Sequence, residues 1–155
     1  MMKKSLCIEM FFADAPFEER FRLAREAGFG YVEFWSWTGK NVAQIRELCT
    51  RYDLRIASFS GDRHISLIDA DRRNNYLAYV EESLEVARFL GCKHLVIHSN
   101  GLGEGGLVLD PGDHLSADQK TEAVKAALKD LAVRAEEVGV TLLLEALNTR
   151  VDHRG

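Results

Sequence analysis

The run Gly139-Val140-Thr141-Leu142-Leu143-Leu144-Glu145-Ala146-Leu147-Asn148-Thr149-Arg150 holds the residues with the clearest chemical promise in the chain. Its apolar part follows a helical pattern and a glycine, and predicts a strand buried on both faces. The strand ends in a carboxylate, an amide and a guanidinium. An anionic Glu145 at the end of a buried strand is costly unless a cation or several donors meet it. That makes it a metal ligand or a catalytic base; the competing reading is a strand-end ion pair with Arg150.

The elements that position these groups follow from apolar periodicity. Leu6 to Phe12 predicts strand one, and Asp14-Ala15-Pro16 opens a helix that closes at Gly28. Tyr31 to Trp35 is strand two. Asn41 with Gln44 opens a second helix running to about Tyr52, and Arg55 to Ser60 is strand three. A long helix capped by Asp71 or Asp69 carries Leu77, Val80, Leu84, Ala87 and Leu90 on one face and closes at Gly91. His94 to Ser99 is strand four. Ser116 and Gln119 form a capping box, after which Val124, Leu128, Leu131, Ala135 and Val138 keep helical spacing up to Gly139.

Strands alternating with helices imply right-handed crossovers and a parallel sheet, either open and doubly wound or closed into a barrel. Ligand sites in both lie beyond the C-terminal strand ends. That filter returns Glu145, Asn148 and Arg150 from strand five, and His98, Ser99 and Asn100 from strand four. It also returns Ser58, Ser60, Asp62, Arg63 and His64 from strand three, Glu33, Trp35 and Trp37 from strand two, and Glu9 from strand one. Such a set suits a polyol or hydroxy-acid held by a divalent cation. The plainer readings make His98 a satisfied core histidine, His64 a solvated loop residue, Trp35 a core side chain and Glu33 a partner of a nearby Lys or Arg.

Composition narrows the classes. A chain of 155 residues, 46% hydrophobic and 28% charged, suits one soluble domain. A net charge of -4 argues against a nucleic-acid surface, and no apolar run approaches membrane-spanning length. Glu9 interrupts the basic-then-apolar start too early for a signal peptide. Three scattered cysteines predict reduced thiols and a cytoplasmic protein. Gly101-Leu102-Gly103-Glu104-Gly105-Gly106 contains a G-x-G-x-x-G, but the next helix starts only near Ser116, so no nucleotide cofactor is expected and the stretch reads as a loop at the rim. The sequence stops just past strand five with no helix to cover it, which predicts that this chain is an incomplete barrel.

Several segments together resemble the hydroxypyruvate isomerase-like members of the xylose isomerase-like barrel superfamily. They are Pro16 to Phe21 with Ala24 to Phe29, Tyr31 to Trp35, Ser60-Gly61-Asp62-Arg63, Leu90-Gly91-Cys92 leading into His94 to Asn100, and Leu144 to Arg150. The last is the most specific, resembling a Glu-Pro-(Ile/Leu)-Asn-x-Arg strand end with Ala146 in the proline's place. The resemblance implies a (β/α)8 TIM barrel of which this chain supplies the first five strands and four helices. It implies isomerase or epimerase chemistry on a small sugar or keto-acid, with Mg²⁺ or Mn²⁺ as the metal. Glu145 would bind that metal beside the reacting carbons, while His64, His98, Asn148 and Arg150 would orient substrate oxygens. Further ligands from strands six and seven, and a second glutamate from strand eight, lie outside this sequence. Two rivals are an abasic-site endonuclease-like barrel, which the acidic balance and few histidines disfavour, and a non-catalytic half-barrel that forms a homo-oligomer.

Overall fold

The first four strands of the main sheet are each followed by a helix that returns the chain to its starting edge. The computed structural model describes residues 3–63, 65–68, 72–102, 107–109, 112–147 and 150. Within them the order is β1 (Ser5–Cys7), α1 (Phe17–Glu26), β2 (Tyr31–Phe34), α2 (Val42–Arg51), β3 (Arg55–Ser60), α3 (Arg73–Leu90) and β4 (His94–Ile97), followed by β5 (Gly101–Leu102), β6 (Val108–Leu109), α4 (Ala117–Val138) and β7 (Thr141–Leu144). The main sheet runs β1-β2-β3-β4-β7 with every pair parallel. A doubly wound sheet reverses its strand order at a switch point; this one keeps chain order throughout, as a barrel does. The helices follow the same succession, α1 against α2, α2 against α3 and α3 against α4. The architecture is therefore a partial TIM barrel.

Local chemistry sets the helix ends. The Asn41 side chain accepts from the Gln44 N–H, and Ser116 and Gln119 complete a reciprocal capping box. Gly91 and Gly139 end α3 and α4 at φ of 69° and 68°, left-handed values that a side chain would strain. The α3 cap expected at Asp69 or Asp71 falls outside the described residues.

Alternation sorts the strand side chains onto two faces. Val32, Phe34, Ile56, Phe59, Leu95 and Ile97 are buried under the helices with Phe21, Ile45, Val80, Leu84 and Leu131. Phe34 stacks on Phe59 at 5.2 Å between ring centres, and Phe17 meets Phe34 edge-on. A bulge at Ala57 keeps the two faces in phase: Val32 pairs with Ile56, but Glu33 pairs with Ser58. Without that extra residue Ser58 would be driven toward the apolar side and Phe59 away from it.

The structure corrects several expectations. Strand one stops at Cys7, because the Met10 and Phe11 N–H groups turn back to the Cys7 carbonyl, and Met10 and Phe11 are exposed. Trp35 lies past the end of β2 and is 58% exposed rather than in the core; Trp37 packs inward instead, stacked on Tyr79 and donating to Ser83 Oγ at 2.8 Å. β7 is not buried on both faces. Among the described residues it pairs only with β4, and Leu143 and Leu144 remain 41% and 47% exposed. Part of the expected glycine loop is ordered as a ribbon, Gly101–Leu102 pairing antiparallel with Val108–Leu109. No described helix is long and apolar enough to cross a membrane.

Candidate active site

Past the C-terminal ends of β3, β4 and β7, three side chains form a line of hydrogen bonds. The line starts at Asp62, two residues beyond β3. Gly61 N–H donates to the Val96 carbonyl at 2.7 Å, and a Cβ on Gly61 would sit 2.3 Å from the Leu95 side chain. Leu95 is fully buried, so only glycine lets the chain pass close enough to β4 to deliver Asp62. Asp62 is itself buried and accepts three donors: the His98 backbone N–H at 2.5 Å, His98 Nδ1 at 3.0 Å and the Tyr76 hydroxyl at 3.2 Å. Tyr76, buried on α3, also lies 3.0 Å from the His98 carbonyl, so its single proton is shared between the two acceptors.

His98 continues the line outward. The Glu145 N–H donates to the Ile97 carbonyl at 3.0 Å, extending the β4–β7 ladder by one residue. That register brings Glu145 Oε2 to 3.1 Å from His98 Nε2. Exposure rises along the line, the side chains being 6% exposed at Asp62, 22% at His98 and 54% at Glu145. Asp62, accepting from Nδ1, raises the His98 pKa above its ordinary value; partial burial opposes this and Glu145 reinforces it. Burial, then the charge of Asp62, raises Tyr76 and keeps its hydroxyl protonated. A buried anion with three donors, an imidazole and an open carboxylate together can hold and pass a proton at the rim.

His98 and Glu145, both expected at the site, are thus brought together. Glu145 meets an imidazole, and His98 is both satisfied toward the interior and presented to the rim. Glu33 takes the Ser58 hydroxyl at 3.4 Å, and among the described residues no cation pairs with it. Arg150 is exposed, while His64 and Asn148 lie outside the described residues. In the sequence Asp62 is marked only by its place at the rim, and Tyr76 carries no mark of a role. The clues were there: Asp62 follows a glycine after a strand, and Tyr76 stands one helical turn before Val80 on the buried face of α3.

The donor pair suits a divalent cation in type and falls short in number. Carboxylate oxygen and imidazole nitrogen are fitting ligands, but among the described residues no three His, Cys, Asp or Glu side chains are grouped to hold a metal. Asp62 is already committed to His98.

A second charged centre sits at the β1 end of the rim. Glu9 receives Lys40 Nζ at 2.7 Å and lies 3.9 Å from Arg20, all three side chains being 20% exposed or less. Arg20 also donates to the Ile8, Ala13 and Ala15 carbonyls at 2.9 to 3.0 Å, clamping the β1–α1 loop.

Comparison with known proteins agrees with this architecture. The chain is 26% identical over 163 residues to 2-oxo-tetronate isomerase of Haemophilus influenzae, covering 97% of this chain and 58% of that protein. It spans just over half the length of that curated relative. A crystal structure described as AP endonuclease, family 2, from Brucella melitensis superposes with a TM-score of 0.79 at 28% identity, over 97% of this chain and 57% of the other. That of 3-keto-D-glucoside 4-epimerase from E. coli gives a TM-score of 0.71 at 25% identity, over 88% and 53%. The model of the xylose isomerase-like TIM barrel matches residues 21–155, and the chain belongs to that family.

Proposed function

We propose that this chain forms the metal- and proton-handling part of an isomerase acting on a small hydroxy-carbonyl compound of the sugar or keto-acid type. The observation that carries the reading is the Glu145–His98 contact of 3.1 Å at the C-terminal rim of a sequential parallel sheet. Similarity to 2-oxo-tetronate isomerase supports the reaction class. In this reading Glu145 would hold a divalent metal, Mg²⁺ or Mn²⁺, and would position the proton moved between adjacent carbons. The metal would polarise the carbonyl and hydroxyl oxygens of the substrate. His98 Nε2 faces a substrate oxygen, with His64, Asn148 and Arg150 as further contacts to substrate oxygens. No nucleotide takes part. The remaining ligands and the second acid/base group come from outside these 155 residues. The domain is a single one, and three free cysteines support a cytoplasmic setting.

The test is interconversion of 2-oxo- and 3-oxo-tetronate and of hydroxypyruvate and tartronate semialdehyde, with Mg²⁺ or Mn²⁺ added and EDTA as control. Glu145→Gln is expected to remove turnover, by at least about a thousandfold for loss of an acid/base and ligand group together, with an unchanged circular dichroism spectrum. Turnover surviving in that variant sinks the assignment. Intact and native mass on the same sample identify what completes the site, a longer polypeptide or a second copy. The description of the Brucella structure keeps an endonuclease reading in play. Binding to a duplex with an abasic site, falling steeply with salt, would favour it over the isomerase.

A further inference from the structure

We propose that Asp62 is a positioning residue that fixes which nitrogen of the neutral His98 ring keeps its hydrogen, so that Nε2 is the nitrogen turned to the substrate rim. Asp62 Oδ2 accepts the His98 backbone N–H at 2.5 Å, and Oδ1 accepts from Nδ1 at 3.0 Å. A backbone N–H can only donate and an ionised carboxylate can only accept, so Nδ1 must carry hydrogen whenever Asp62 is charged. The Tyr76 hydroxyl closes the arrangement from α3 and ties the same carboxylate to the His98 carbonyl strand end. Asp62 is buried and seated by a glycine that admits no side chain, so it has little freedom to turn away.

The consequence falls on the other nitrogen. With Nδ1–H committed inward, a neutral His98 presents a bare Nε2 lone pair toward Glu145 Oε2, 3.1 Å away. Two bare acceptors at that distance repel, and a single hydrogen held between them turns the contact into a hydrogen bond. At 3.1 Å the two atoms are in direct hydrogen-bond contact, so a substrate oxygen meets Nε2 from the open side of the rim, and no turn of the ring is needed to present that nitrogen. Asp62 accepts from Nδ1–H whether or not Nε2 also carries a hydrogen. The kinetic part of this inference rests on the isomerase reading; the tautomer does not.

Asp62→Asn separates the two. An amide at this position must point its oxygen at the His98 backbone N–H, which leaves its NH₂ facing Nδ1. The ring then has to carry its hydrogen on Nε2. Long-range proton–nitrogen NMR on the ¹⁵N-histidine-labelled, metal-free chain, at a pH where the ring is neutral, reads the two nitrogens directly. The wild type is expected to show Nδ1–H, Asp62→Asn to show Nε2–H, and Tyr76→Phe to keep the wild-type pattern. An Nε2–H signature in the wild type overturns the proposal without any variant, as does an unchanged tautomer in a folded Asp62→Asn. In the isomerase assay Asp62→Asn is expected to lower kcat about 10- to 100-fold with KM nearly unchanged. A switched tautomer with undiminished kcat overturns the positioning role. A switched tautomer beside a wild type that turns nothing over even once the site is completed instead counts against the isomerase reading and leaves the Asp62 assignment standing.

Discussion

Two glutamates stand at the same rim of the sheet and are treated in opposite ways. Glu9, after β1, is 15% exposed, takes Lys40 at 2.7 Å and has Arg20 nearby, and those cations are fixed in turn by backbone carbonyls and by the Phe17 and Phe34 rings. Glu145, after β7, is 54% exposed and meets one imidazole edge. A carboxylate closed off by two cations is electrostatically satisfied and serves to hold a loop. One that faces a single imidazole edge keeps lone pairs for something that arrives later. Strand-end acidity by itself does not mark a site; the partners do.

That contrast can be broken from the Glu9 side first. Arg20→Met removes three carbonyl contacts and a cation from a mostly buried cluster, leaving Glu9 to Lys40 alone. The expected cost is about 3 kcal/mol, as for other broken interior ion pairs, read from urea denaturation. A loss within error would mean that the clamp is ornamental. Gly61→Ala attacks the Glu145 side through its support. The new methyl meets Leu95 in a filled core, so about 2 kcal/mol is expected, and the displacement should also lengthen the Asp62–His98 contact. Retention of the His98 tautomer and of full stability in that variant would show that the close passage of the chain at Gly61 is not required.

The fold was largely legible because its signals are local. Caps at Asn41 and Ser116, terminators at Gly91 and Gly139, and apolar runs between them specify alternating helices and strands without knowledge of contacts. Strand order was not legible: pattern alone left the doubly wound sheet and the barrel open, and the succession β1-β2-β3-β4-β7 decides for the barrel. At the site, Glu145 and His98 stood out by chemical type at strand ends. Asp62 and Tyr76 drew no role because theirs depends on contacts 36 and 14 residues apart in sequence, which spacing does not show. Trp35 misled for the converse reason: its size argued for the core, but β2 ends one residue before it. The burial expected for β7 failed because an apolar run reports what a strand can bury, not what lies beside it among the described residues.

The same chemical change at both glutamates sharpens the comparison with smaller effects. Glu9→Gln is expected to cost about 1–2 kcal/mol, because an amide cannot answer both Lys40 and Arg20. Glu145→Gln should stay within about 0.5 kcal/mol, as for most exposed positions. Equal losses would erase the distinction drawn between a satisfied and an available carboxylate.

Thiol labelling probes the Glu9 corner most gently. Cys7 is partly buried at the end of β1, and its carbonyl holds the Met10 and Phe11 N–H groups of the clamped loop. Cys49 and Cys92 are buried, and burial pushes the Cys49 thiol up to about 12. At pH 8 a thiol-reactive reagent should therefore modify Cys7 first and reach Cys49 only on unfolding. Raising the pH to 9.5 should leave Cys49 slow, since its reactive thiolate still lies well above that range. Sign matters here: a raised folded-state pKa means the folded chain keeps the Cys49 proton while the unfolded chain releases it. Its share of stability is therefore intact below the unfolded value near 9 and is lost as the pH climbs toward about 12. In Arg20→Met, Cys7 should label about fivefold faster, for a local opening eased by roughly 1 kcal/mol, with Cys49 and Cys92 unchanged. Acceleration of all three together would mean that Arg20 holds the whole domain, and no acceleration that the loop is fixed by something other than the Glu9 centre.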